Sequence, residues 1–209
     1  MRLTYPVKEA FPTLQGEGRW SGHRAVFVRF AGCNVWSGRE KDRARDTAKG
    51  CCAAWCDTDF AGTDGQNGGM HTAEQIARVV QSLGGGHVVL TGGEPSLVVD
   101  DKLVEALHGV GLFVQIETNG SRLVPPSIDW VTLSPKPPMA VLKQRYDEVK
   151  CVFPAGFDLL DYARFADVRY VQPLDAGDKA TNAQQALDFV LAHEGWALSL
   201  QTHKLLDIP

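Results

Sequence analysis

The segment "HVVLTGGEPSLVVDDKLVEALHGVGLFVQIETNG", His87 to Gly120, carries the fold in outline. Its first part, "HVVLT", is short, apolar and β-branched, and reads as a strand. "DDKLVEALHGV" follows, with Leu103, Val104, Leu107 and Val110 at helical spacing. "LFVQIET", Leu112 to Thr118, reads as a second strand. Strand, helix and strand in this order predict parallel strands joined by a crossover.

The same alternation extends outward in both directions. "AVFVRF" (Ala25–Phe30), "WVTLS" (Trp130–Ser134), "EVKCVF" (Glu148–Phe153), "VRYVQP" (Val168–Pro173) and "ALSLQT" (Ala197–Thr202) read as further strands. "TAEQIARVVQSL" reads as a helix capped by Thr72, with Ile76, Val79, Val80 and Leu83 on one face. "TNAQQALDFVLAHEG" reads as another, capped at Thr181 or Asn182 and ending near Gly195. Parallel sheets bind ligands at the carboxyl ends of their strands. Those ends carry the cysteine loop, "TGGEP", "ETNG", "SPK", "QP" and "QTHK", so one rim gathers the polar, Gly and Pro residues.

Totals narrow the class. The 209 residues suit one domain with a real core, and 44% hydrophobic with 22% charged residues is ordinary for a globular chain. A net charge of −4 gives no basic face for nucleic acid. No apolar run reaches the roughly 18–20 residues of a membrane span. The N-terminal "MRLTYPVKEAFPTLQGEG" has no apolar export core, so a cytoplasmic, reducing location is expected. Four of the five cysteines fall between Ala31 and Phe60. In a reducing compartment that clustering points to metal, cluster or redox chemistry rather than disulfides.

Cys33, Cys52 and Cys56 can supply three thiolates, with Cys51 competing for the middle place. Three thiolates hold three irons of a 4Fe-4S cluster and leave the fourth open. Zinc, with His23 as a fourth ligand, and unrelated buried thiols are the alternatives. In "TGGEP" the glycines let a ligand approach the backbone closely, although a plain strand-to-helix turn has the same look. "DTD", Asp57 to Asp59, reads equally as a turn or cap.

A cysteine triad after one strand and GGEP after the next resembles the radical S-adenosylmethionine superfamily. The superfamily's usual gaps are three residues, then two. Here 18 residues separate Cys33 from Cys52, and three separate Cys52 from Cys56, or four if Cys51 is used. Adding "FPTLQGEG", "RFAGCN", "CDTDF", "ETNG", "SPK", "VQP" and "QTHK", the chain resembles the 7-carboxy-7-deazaguanine synthases from near its N-terminus to its last residue. A long insertion after the first cysteine is known in that family, and here it spans about residues 34–51.

The resemblance implies an α/β fold: a partial, open β/α barrel with mostly parallel strands, as one domain over 1–209. It implies a lyase of queuosine and deazapurine biosynthesis, converting 6-carboxy-5,6,7,8-tetrahydropterin to 7-carboxy-7-deazaguanine with loss of ammonia. S-adenosylmethionine on the open iron of a 4Fe-4S cluster would start the reaction, and Mg2+ would assist it. An electron donor such as a flavodoxin and a homodimer are further implications. A glycyl-radical activating enzyme and a zinc-binding interaction domain are the alternatives; the first has no use for "LQGEG" or the C-terminal "QTHK", and nothing in "TGGEP" or "ETNG" supports the second.

The implied roles follow residue by residue. Cys33, Cys52 and Cys56 would hold the cluster, and Thr58 the magnesium. Gly92, Gly93 and Glu94 would line the methionine end of the cofactor. Glu117 or Asn119 would meet the ribose, and Ser134, Lys136 and Gln172 are weaker candidates. Lys136 reads equally well as a solvated strand-end lysine. Gln15 and Glu17 can read the amide and amino edge of a pterin. Arg29, in an apolar strand, can pair with a carboxylate, although a solvent-facing arginine would look the same. Thr91 and His203 are further substrate candidates, and Pro209 would contribute a terminal carboxylate. Gly38 to Gly50 is expected to be a solvated surface excursion, and Cys151 a buried core thiol.

Overall fold

The structure is a computed structural model describing residues 3–154 and 156–209, with Cys51 described by its backbone alone. Nine strands form one open sheet among the described residues: β1 (Tyr5–Leu14), β2 (Arg24–Phe30), β3 (Gly69–His71), β4 (His87–Gly92), β5 (Phe113–Thr118), β6 (Trp130–Leu133), β7 (Glu148–Phe153), β8 (Val168–Pro173) and β9 (Ala197–Leu198). Their order is β3-β1-β2-β4-β5-β6-β7-β8-β9. From β2 onward every pairing is parallel, and β1 runs antiparallel to both β2 and β3. The helices are α1 (Arg43–Asp46), α2 (Ala73–Ser82), α3 (Asp101–His108), α4 (Lys179–Ala192) and α5 (Thr202–Leu206).

Successive strand residues face opposite sides of a sheet, and here the two sides differ in chemistry. Val28, Leu90, Val114, Ile116, Leu133, Val149, Cys151 and Val171 join one apolar core with Ile76 and Val80 of α2 and Leu103 and Leu107 of α3. The alternate positions carry Arg29, Thr91, Gln115, Glu117, Thr132, Glu148, Lys150 and Gln172. Helices therefore cover one face, and the opposite face is a buried polar interior. At its floor Trp20 makes edge contacts with His87, Phe113 and Trp130 at 5.7, 5.1 and 5.6 Å between ring centroids. Cys151 is the expected core thiol, fully buried, and burial pushes its pKa up to about 12.

Local signals explain several boundaries. Thr72 caps α2 through a reciprocal pair: its hydroxyl accepts from Gln75 N at 3.3 Å, and Gln75 Oε1 accepts from Thr72 N at 2.7 Å. α4 begins at Lys179, earlier than expected. Asp178 takes the cap by accepting from Thr181 N at 3.1 Å, so Thr181 lies inside the helix. β9 covers only Ala197–Leu198, and "THKLL" turns into α5. The long strand β1 has no counterpart in the expected elements. Its Pro6, Pro12 and a register shift between Val7 and Glu9 hide the strand pattern.

The charged excursion is mostly exposed, as expected, with Arg39, Glu40, Lys41, Arg45 and Lys49 at the surface, but two of its charges have structural roles. Asp46 is fully buried, accepts from Ser37 N at 3.0 Å, and pairs with Arg45 and Lys49 at 2.8 Å each. Arg43 donates to the carbonyls of Ala53 at 2.7 Å and Cys56 at 3.2 Å. Its guanidinium sits 4.3 Å from the Trp36 ring centroid.

Candidate active site at the carboxyl rim

The parallel strands end at a cavity of about 420 Å³. At its edge Phe30 and Gly92 stand in register across β2 and β4. Gly92 has φ +137°, and a Cβ there would stand 2.2 Å from the Phe30 carbonyl oxygen, so the turn requires glycine. Glu94 then closes the turn. Its carboxylate, 2% exposed, accepts from Ser96 N at 3.0 Å, Thr118 Oγ1 at 2.6 Å and Asn119 N at 2.8 Å. This carboxylate ties the end of β4 to the end of β5.

Cys33, Cys52 and Cys56 all line the cavity. The Cys33 sulfur accepts from Val35 N at 3.3 Å. Burial raises its pKa, while the Val35 and Trp36 amides oppose that rise. Cys52 is 5% exposed and packs in a small apolar cluster with Val35, Trp36, Ala53 and Phe60. The side chain of Cys51 lies outside the described residues. Among the described residues no group of three His, Cys, Asp or Glu side chains stands together as a metal site. The donors themselves fit iron: they are thiols beside main-chain N–H groups that can bond sulfur.

The segment after Cys56 is clasped on both sides. Lys204 of α5 bridges Asp57 at 2.6 Å and Asp175 at 2.7 Å. Lys8 of β1 pairs with Asp59 at 3.0 Å and Asp64 at 2.8 Å. Both aspartates flanking Thr58 are thus engaged by lysines, and Thr58 lines the cavity between them.

Deeper in, Lys150 is the hub. Its ammonium meets Glu17 Oε2 at 2.6 Å and Glu117 Oε2 at 3.0 Å. Glu17 Oε1 accepts from Gln172 Nε2 at 3.0 Å and Gln201 Nε2 at 2.9 Å. Burial pushes the Glu17 carboxyl up, but Lys150 and Gln201 outweigh it and hold it down to about 2. Burial raises Glu117 despite Lys150. Burial disfavours the Lys150 ammonium, yet Glu117, Glu17 and Glu148 together raise its pKa. Glu148, below the cavity, is pushed up to about 7 by burial while accepting from Arg19 N at 2.8 Å.

Every residue assigned to the cluster, magnesium, cofactor or substrate lines this one cavity except Pro209, whereas His23, the alternative zinc ligand, lies outside it against the Trp20 carbonyl. A terminal oxygen of Pro209 accepts from the Thr13 hydroxyl near the end of β1. Gln15 is 2% exposed, and its Nε2 has no partner among the described residues, an unspent donor on the cavity wall. Arg29 faces the cavity and also pairs with Glu9 at 2.8 Å. Lys136 is not a solvated lysine: it donates to Ser134 Oγ at 2.6 Å and lines the cavity. His203 lies against Gly16, where a Cβ would stand 2.2 Å from its Nδ1, and burial lowers its pKa. Sequence reasoning missed Lys150, Glu148 and Lys204. For the first two, a signal existed. A glutamate and a lysine two apart in "EVKCVF" share one face of a strand that a parallel sheet buries on both sides.

An open, mostly parallel α/β sheet with cysteines, a Gly-Gly-Glu turn and a polar interior at its carboxyl rim defines the class of the radical S-adenosylmethionine enzymes. No family model matches the chain. Curated relatives do match: the 7-carboxy-7-deazaguanine synthase of Caulobacter vibrioides is 47% identical, over 99% of this chain and 100% of its own. That of Burkholderia multivorans is 48% identical with the same coverage. The crystal structure of QueE from Escherichia coli superposes with a TM-score of 0.72 at 30% identity, covering 95% of this chain and 94% of that one. The chain belongs to the 7-carboxy-7-deazaguanine synthase family.

Proposed function

We propose that this chain converts 6-carboxy-5,6,7,8-tetrahydropterin into 7-carboxy-7-deazaguanine with loss of ammonia. Family membership at 47% identity over 99% of the chain carries that reading. When bound, a 4Fe-4S cluster and S-adenosylmethionine supply the one-electron and hydrogen-abstraction chemistry that side chains lack.

The chain's own residues bind, orient and enclose. Cys33, Cys52 and Cys56 are assigned to the cluster on their thiol chemistry and their shared cavity. Gly92, Gly93 and Glu94 shape the cofactor's methionine end, and Glu117, Asn119, Ser134, Lys136 and Gln172 take its polar groups. Gln15 offers its unpartnered Nε2 to the pterin. Glu17 presents acceptors, Arg29 meets the substrate carboxylate, and Thr91 and His203 flank the ring. Pro209 is assigned a carboxylate role at the substrate side. Thr58 supplies one hard oxygen for magnesium. The family resemblance supports a single domain over 1–209, a homodimer, a flavodoxin-type donor and a cytoplasmic location. Among the described residues no helix is long and apolar enough to cross a membrane.

Anaerobic reconstitution with iron and sulfide, then turnover with reductant, S-adenosylmethionine, magnesium and the carboxy-tetrahydropterin, tests the reading. Formation of the deazaguanine supports it. A cluster that cleaves the cofactor without making product overturns the substrate assignment.

A further inference from the structure

Lys150 lines the cavity, yet none of the recognisable motifs contains it. It sits in β7, 4% exposed, on the polar face of the sheet. Its two carboxylate partners come from distant parts of the chain. Glu17 follows β1, and Glu117 is near the end of β5. Glu148, two residues earlier on the same strand face, adds a third negative charge. An ammonium at this depth persists only because the carboxylates compensate it, and its contact in turn holds the Glu17 carboxyl ionised against its burial.

We propose that Lys150 is a positioning residue that holds Glu17 and Glu117 as one matched pair, joining the pterin pocket to the cofactor pocket. The inference rests on the proposed function, which places Glu17 at the pterin and Glu117 at the cofactor. The chemical reason is the direction of the hydrogen bonds. An ionised carboxylate only accepts, while a protonated one also donates. The amino and ring N–H groups of a pterin need acceptors. Lys150 takes Glu17 Oε2, and the Gln172 and Gln201 amides take Oε1, so the group is fixed in both charge and orientation. The same ammonium anchors Glu117, whose other oxygen accepts from Gln115 Nε2 at 3.0 Å. Moving one carboxylate therefore moves the partner of the other.

The groups that set the local titration are Glu17, Glu117 and Glu148, with Lys136 acting on Glu117 and His203 on Glu17. Without the ammonium, Glu17 and Glu117 lose their shared countercharge beside the buried Glu148, and the balance on Glu17 shifts towards its protonated form.

The test measures equilibrium binding of the carboxy-tetrahydropterin and of S-adenosylmethionine to the anaerobically reconstituted holoenzyme from pH 6 to 8.5. Lys150→Met is expected to weaken pterin binding at least ten-fold at pH 7. The deficit relative to wild type should shrink as pH rises and Glu17 ionises again. Glu17→Gln should weaken binding similarly, and adding Lys150→Met to it should cost less than a further three-fold. Unchanged binding of both ligands in Lys150→Met, with only a lower melting temperature, overturns the inference. Should that variant not fold, the Glu17→Gln and Glu117→Gln pair decides. These carboxylates share no hydrogen bond, so coupling through Lys150 makes their effects on pterin affinity non-additive by several-fold. Strict additivity overturns the inference. A wild-type holoenzyme that binds S-adenosylmethionine but no pterin overturns the parent reading, and this inference with it.

Discussion

Glu17 and Glu148 lie within reach of the same Lys150 charge, yet one is held down to about 2 and the other pushed up to about 7. Glu17 touches the ammonium directly and accepts two amide hydrogen bonds as well. Glu148 has burial against it and the Arg19 N–H in its favour. A carboxyl whose folded pKa is raised binds protons more tightly in the native state, so stability falls as pH rises from its unfolded value of 4.5 through about 7. That window is worth up to about 3 kcal/mol. Glu148→Gln is therefore expected to flatten the decline in urea stability between pH 5 and 7. A decline of the wild-type size in that variant would assign the effect elsewhere. The middle cluster ligand is also a residue-scale matter. With Cys52 as that ligand, Cys52→Ala is expected to lose most of the bound iron on reconstitution and Cys51→Ala to keep it. The reverse pattern would move the assignment to Cys51.

At the scale of elements, the cysteine loop behaves as a small folded unit. Arg43 reaches across it to the carbonyls of Ala53 and Cys56, on either side of the last cysteine turn. Bonds to a charged donor of this kind contribute about 1.5–3 kcal/mol each. Arg43→Met is expected to speed iron release to a chelator by roughly ten-fold or more, with the sheet unaffected in far-ultraviolet circular dichroism. Unchanged release would mean that the loop is held by Asp46 and its lysine and arginine partners alone. This loop also marks where sequence reading stops. β4, β5, β7 and β8 were legible because each is a short β-branched run bounded by turn residues. The rim residues were legible because parallel strands place them there. β1 was not, since two prolines and a bulge break its alternation. The buried role of Asp46 was not either, because a solvated charge and a paired one look alike in one dimension. Lys150 could have been found, and asking which face of a parallel strand is wet would have found it.

Across the whole molecule, the cavity is closed by segments from opposite ends of the chain. Gln201 meets Glu17, Lys204 meets Asp57, His203 lies on Gly16, and Pro209 meets Thr13. A peptide extension after Pro209 is expected to raise the apparent KM for the pterin several-fold while leaving S-adenosylmethionine binding unchanged. Equal affinity for the pterin with and without the extension would remove Pro209 from the substrate site.

The same closure has a consequence in time. A chain is synthesised from its N-terminus, so Glu17, the cysteine loop and Gly92 leave the ribosome long before Gln201 and Lys204 do. Until those last residues emerge, Glu17 lacks one of its amide donors and Asp57 lacks its lysine. The enclosed site does not exist on the nascent protein. A translation product cut short of residue 201 keeps the Lys8 and Arg43 ties on its cysteine loop but lacks the Lys204 tie to Asp57 and the Gln201 amide on Glu17, so the wall of the site is what comes last.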